Sequence, residues 1–92
     1  MTNAARMADI FNLLSVEARV RILQLLKNNP HCVIELTSKL GISRPATSQH
    51  LRLLRNAGLV KTIKRGTFVY YLLEEKRIAR IKKAANELLY IK

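Results

Sequence analysis

Leu40-Gly41-Ile42-Ser43-Arg44-Pro45-Ala46-Thr47-Ser48-Gln49-His50-Leu51 is the stretch that decides the fold. On its N-terminal side Val33, Leu36 and Leu40 share one face of a short helix, and Gly41 stands where a left-handed residue ends it. Ile42 is the single apolar residue of the turn. Ser43 then caps a second helix, with Arg44 and Pro45 in a first turn whose amides have no intrahelical partners. Thr47, Leu51, Leu54 and Gly58, at i, i+4, i+7 and i+11, form the inward stripe of that helix. Two helices joined by so short a turn make a helix-turn-helix.

Upstream, Met7, Ile10, Phe11 and Leu14 mark one face of a first helix from Ala4 to Leu14. Ser15 suits the N-cap of a second, with Glu17 in its first turn. Ala18, Ile22, Leu25 and Leu26 supply its stripe, which Val20 and Leu23 widen until Asn28-Asn29-Pro30 breaks the helix. Downstream, the period changes. Leu59 to Lys64 and Thr67 to Leu73 are rich in Thr, Ile, Val, Phe and Tyr, and Lys64-Arg65-Gly66-Thr67 suits a hairpin turn with Gly66 at positive φ. Phe68, Tyr70 and Tyr71 are expected to pack against the helices. From Glu74 the pattern is helical again, with Ile78, Ile81, Ala85 and Leu88 on one side and Lys76, Arg77, Arg80, Lys82 and Lys83 around them. The expected fold is mainly α with a small β-hairpin, a winged helix-turn-helix in the order α-α-α-α-β-β-α.

The 92 residues carry 17 Lys and Arg against 6 Asp and Glu, a net +11, with 49% hydrophobic residues. That is a folding chain of one domain, residues 1–92, not a charged disordered tail. Residues 61–92 hold nine of the basic groups and three of the acidic ones. So strong an excess points to a polyanionic partner, nucleic acid first. The one cysteine, Cys32, excludes an internal disulfide framework and suits a reducing, cytoplasmic setting. The start, Met1-Thr2-Asn3-Ala4-Ala5-Arg6, has no apolar leader, and no run approaches the roughly 20 apolar residues that span a bilayer, so no membrane partner is expected. No Ser-His-Asp, Cys-His or paired-carboxylate arrangement and no glycine-rich phosphate loop stands out, so neither catalytic residues nor an enzymatic activity are assigned.

If Thr47, Leu51 and Leu54 face inward, Pro45, Gln49 and Arg52 lie opposite, with Ser43, Arg44 and Ser48 near the N-terminal end that enters a major groove. Gln can pair with adenine N6 and N7, Arg can bridge guanine O6 and N7, and Ser can bond to bases or phosphates. His50 lies between the inner stripe and this face, placed either to donate to a phosphate or to complete the packing. Lys64 and Arg65 at the hairpin tip suit a minor groove or phosphates.

Arg19-Val20-Arg21-Ile22-Leu23, the run from Leu40 to Val60, and Gly66-Thr67-Phe68-Val69-Tyr70-Tyr71-Leu72 resemble the ArsR/SmtB family of transcriptional regulators over about residues 10–73. The resemblance implies a homodimeric DNA-binding repressor, often released from its operator by a metal ion or by thiol chemistry. Soft-metal sensors of this family often carry Cys-Val-Cys at the third helix; here the run is Cys32-Val33-Ile34. Others hold zinc or nickel between their last helices through His and Asp, and the last helix here has no His, Cys or Asp. His31, Cys32 and Glu35 remain as an incomplete ligand set. No metal or cofactor is therefore assigned, and the effector is left open, with Cys32 inert, redox-active or a ligand. Thr37 and Thr47 stand where the family mostly has Ala and Val; each hydroxyl can bond the carbonyl one turn back, without evident functional gain.

The terminal helices carry apolar stripes, Met7, Ile10, Phe11 and Leu14 on one and Ile78, Ile81, Leu88 and Leu89 on the other, that a small winged core does not cover from both sides. A twofold homodimer built on them would set two reading helices about one DNA turn apart, for a palindromic operator on double-stranded DNA. The competing expectations are a sequence-neutral nucleic-acid packer, a winged-helix protein-interaction module, and a membrane-surface role for the basic last helix.

Overall fold

The helix boundaries follow from local chemistry. A computed structural model describes residues 3–90, so Met1 and Thr2 of the stretch read for a leader, and the ends of the expected 1–92 domain, lie outside it. The order is α1 (Asn3–Leu13), α2 (Glu17–Asn28), α3 (Val33–Leu40), α4 (Arg44–Asn56), β1 (Val60–Arg65), β2 (Phe68–Leu73) and α5 (Glu75–Leu89), the winged helix-turn-helix expected from the sequence. Gly41 ends α3 in the left-handed region at φ 67°, and Ser43 Oγ accepts the amide of Ala46 at 3.2 Å to begin α4.

Two boundaries differ from the sequence reading. Ser15 is not the cap of α2: its hydroxyl donates to the Asn12 carbonyl at 2.7 Å and closes α1, while Val16 precedes α2 in extended conformation. Gly58 is not part of the α4 stripe. It sits at φ 79° just past the helix, its amide donating to Arg55 O at 2.9 Å while the Leu59 amide donates to Leu54 O at 3.0 Å, the paired bonds of a Schellman stop.

Ile22 and Leu26 of α2, Leu36 and Leu40 of α3, Leu51 and Leu54 of α4, and Leu59 and Val60 at the entry to the hairpin form one core. Ile78 and Ile81 of α5 pack on it from outside. Burying each such side chain contributes about 1.5–3 kcal/mol before ordering entropy is counted. β1 and β2 pair antiparallel from Val60↔Leu73 to Arg65↔Phe68, so the two-residue turn is Gly66-Thr67, one position later than expected. Gly66 has φ 61° and Thr67 does not share the positive φ, the pattern of a type II′ turn. A third partner had no signal in the periodicity: His31 bridges Tyr71, with N–H to O bonds of 3.0 and 2.8 Å in the two directions, and so pins the hairpin to the α2–α3 connection.

Polar side chains fasten the helix-turn-helix. Thr37 Oγ1 donates to Thr47 Oγ1 at 3.0 Å, and Thr47 Oγ1 donates to the Ser43 carbonyl at 3.0 Å, a relay running from α3 to the cap of α4. Thr47 does bond one turn back, but the two threonines also bond each other, a structural gain the sequence reading did not see. The Arg21 guanidinium on α2 donates to the carbonyls of Leu40 (3.3 Å) and Lys39 (3.2 Å), closing the C-terminal end of α3. We expect Thr47→Val to destabilise the fold by about 1 kcal/mol in urea unfolding, and Thr37→Val added to it to cost less than it does alone, because the partnership is already gone. Additive losses would show that the two hydroxyls do not act as a pair.

Candidate nucleic-acid interface

Burial of Thr47, Leu51 and Leu54 fixes the rotation of α4 about its axis, and Ser43, Arg44, Pro45, Ser48, Gln49 and Arg52 lie exposed as a result. Their roles in the free chain are not equal. Ser43 is committed to the cap, and the Arg52 guanidinium donates to Gln49 Oε1 in an i, i+3 pair on the exposed face. That bond takes one of the two acceptor positions on the oxygen that Gln49 would offer to adenine N6, so the two side chains would meet a base edge as a unit.

His50 is half-buried on the flank of the helix, where its Nδ1 accepts from Arg19 Nε of α2 at 3.2 Å. Burial, and next the neighbouring Arg19 charge, hold the imidazole below its ordinary value of 6.5. Lys64 and Arg65 are exposed on the far half of the hairpin, on a different element from the α4 residues. Tyr71 packs on the core as expected, but Phe68 does not pack against the helices: it stands 52% exposed opposite Arg65 at the hairpin end, with its ring 6.4 Å from that of Tyr70.

Among the described residues one ion pair is found, Lys61 to Glu74 at 3.8 Å on the surface. Nearly all of the positive charge on the described residues is thus left without a carboxylate partner. No helix among these residues is long and apolar enough to cross a membrane.

The incomplete ligand set does not assemble. His31 is buried, its Nδ1 within 2.8 Å of the Asn29 carbonyl and its Nε2 within 3.0 Å of Lys39 Nζ, so both ring nitrogens are engaged and an ammonium sits where a metal would bind. Glu35 Oε1 accepts the Cys32 amide at 3.0 Å as half of a capping box. Bonds from the Cys32 amide and then its thiol hold that carboxyl below the usual carboxylate range. These residues serve the turn into α3, and their arrangement does not fit a metal ion.

The two terminal stripes are divided. Ile10 is buried within the chain, Met7 is half-buried, and Leu14, Ile78 and Ile81 are partly buried against the core, whereas Phe11, Leu88 and Leu89 are exposed at 41%, 59% and 66%. Between α1 and α5 a groove of about 840 Å³ is lined by apolar residues of both helices, with Arg6, Arg77 and Arg80 beside them.

Arg19 and Arg21, two positions apart in α2, were not singled out as site residues from sequence. The only signal was a pair of arginines set beside Ile22, in the middle of the apolar stripe of α2.

Comparison with known proteins places this geometry. The family model described as bacterial regulatory protein, arsR family, matches residues 17–62, the span from α2 into β1. An HTH-type transcriptional regulator of Methanocaldococcus jannaschii is 35% identical over 89 residues, 96% of this chain and 100% of that protein. The transcriptional activator HlyU of Vibrio cholerae is 39% identical over 88 residues, 96% of this chain and 78% of HlyU. The solved structure of reduced HlyU superposes with a TM-score of 0.75 at 36% identity, covering 98% of this chain and 94% of that one. The transcriptional repressor SmtB homolog of Synechocystis is 32% identical over 81 residues, 88% of this chain and 61% of its own length. Continuous matches through the helix-turn-helix and the start of the wing, together with the shared fold, lead to one assignment: the chain belongs to the ArsR/SmtB family of DNA-binding transcriptional regulators.

Proposed function

We propose that the chain reads a palindromic operator in double-stranded DNA as a homodimer, with α4 in the major groove and the hairpin tip on the flanking backbone or minor groove, and that it acts in the cytoplasm as a repressor by occluding the promoter. The observation that carries this reading is the exposed α4 face: Arg44, Ser48, Gln49 and Arg52 are presented together along the first nine residues of the helix by a core that fixes its rotation. The unpaired positive charge supplies the phosphate term. The SmtB homolog supports repression and HlyU marks activation as the other outcome. Transcription in vitro from a promoter carrying the selected operator separates them, repression lowering the transcript.

If roughly 6–10 phosphates are neutralised, affinity falls by about 10³–10⁵ between 50 and 200 mM salt. Gln49→Ala and Arg52→Ala relax base preference by roughly 1–3 kcal/mol each and do so non-additively, because the two side chains are paired, whereas Lys64→Ala and Arg65→Ala weaken all sequences alike. Electrophoretic competition between selected and random duplex measures both. A shallow salt response, or equal losses on the two DNAs from the α4 substitutions, would leave sequence-neutral packing or protein interaction as the function.

The dimer proposal rests on the exposed ends of the terminal stripes. A C2 axis lets the α1–α5 groove of each protomer meet its copy, and spaces the two α4 helices roughly 34 Å apart. Ile81 packs partly on the chain's own core, so Phe11→Glu with Leu88→Glu tests the interface more cleanly. The expected outcome is a monomer by sedimentation equilibrium with DNA binding weakened by at least about a hundredfold, since the tethered second half-site contact is lost. A monomeric wild-type chain at micromolar concentration, or unchanged affinity in the double variant, would remove the dimer.

The effector is not a metal ion bound at His31, Cys32 and Glu35. Calorimetric titration of the reduced chain with zinc, cadmium and arsenite is expected to show no stoichiometric binding, and binding that disappears in Cys32→Ser would reverse this.

A further inference from the structure

Arg19 occupies the junction of three helices. From α2 its Nε donates to His50 Nδ1 at 3.2 Å and its Nη1 donates to the Leu13 carbonyl, at the end of α1, at 3.0 Å. No carboxylate neutralises it among the described residues. A guanidinium offers donors and no acceptor, so the Nδ1 it meets carries a lone pair and the imidazole proton resides on Nε2. Nε2 has no protein partner among the described residues. Since no buried side-chain nitrogen or oxygen there lacks a partner, Nε2 opens to solvent. It does so from the residue that follows Gln49 on α4, at the edge of the face presented to DNA.

We propose that Arg19 is a positioning residue for DNA contact: it locks His50 as a neutral Nε2–H donor at the edge of α4, aimed at a backbone phosphate oxygen, without itself touching the DNA. The inference rests on α4 lying in the groove, as proposed above. A histidine free to titrate near neutral pH would make a contact whose charge varies with pH. Here protonation of Nδ1 would break the bond from Arg19 and set two cations against each other, so the neutral donor persists. The lowered value of His50 agrees with that arrangement. Because the same guanidinium holds the Leu13 carbonyl, the end of α1 and the edge of α4 are tied through one side chain.

The test uses the full chain and a duplex selected from random sequence. Long-range nitrogen-15 correlation spectra of the free wild type should show His50 Nδ1 unprotonated and Nε2 protonated. Arg19→Met, which keeps the packed stem and removes both bonds, should move the His50 titration midpoint up toward 6.5 and weaken binding about tenfold. His50→Ala should cost the same, the double variant no more than either alone, and His50→Gln, whose amide nitrogen falls near the Nε2 position, should restore most of the affinity. Circular dichroism checks each fold; should Arg19→Met unfold, the wild-type tautomer and the His50→Gln to His50→Ala comparison decide. A proton on Nδ1, additive losses that put Arg19 itself on a phosphate, or unchanged affinity in His50→Ala would overturn the proposal. Gln49→Ala in the same titration reports on the placement of α4 independently of this cycle.

Discussion

Burial of Leu51 and Leu54 among Ile22, Leu36 and Leu59 is the constraint from which the rest of the structure follows. A helix read from its exposed side is informative only if its rotation is fixed, and rotation by one residue, about 100°, would carry Gln49 and Arg52 off the presented face. Two leucines three positions apart, both fully buried, exclude that rotation on energetic grounds, since each would forfeit a few kcal/mol on leaving the core. The threonine relay and the Arg21 cap then fix where α4 begins relative to α3, so translation along the axis is restrained as well as rotation.

Charge is handled in the opposite way. The core is satisfied internally, with no buried side-chain polar atom lacking a partner among the described residues, while the surface is left electrostatically unbalanced. Net +11 on 92 residues destabilises the compact state by self-repulsion, and the chain tolerates this because the core already holds it together. A polyanion that neutralises the surface relieves the repulsion, so binding and folding favour one another.

The helices, the hairpin and the orientation of α4 were legible because each rests on a local signal: apolar spacing, Gly41 and Gly66 at positive φ, Ser43 before Pro45. What escaped were contacts between segments distant in sequence. His31 as a bridge partner of Tyr71, Arg21 across α3, Arg19 onto His50 and Thr37 onto Thr47 join residues 10 or more positions apart, and periodicity within one element carries no information about them. Ser15 and Gly58 were misplaced for a related reason. Each has the chemistry of a helix end, and sequence alone did not tell which end of which helix it served. The terminal stripes were visible as amphipathic, yet how much of each is spent on the chain's own core depends on the packing of α5, which spacing does not encode.

The bridge between His31 and Tyr71 has a mechanical consequence. It clamps the hairpin three residues before its outer end, leaving the segment from Tyr71 back to Phe68, and Lys64 and Arg65 across from it, as a cantilever of about 10 Å. Force applied at the tip is delivered as torque to that clamp on the α2–α3 connection and to the hairpin base, where Leu59 and Val60 are buried beside Leu54 of α4. A hairpin held this way can flex at its outer end while its base stays seated on the core.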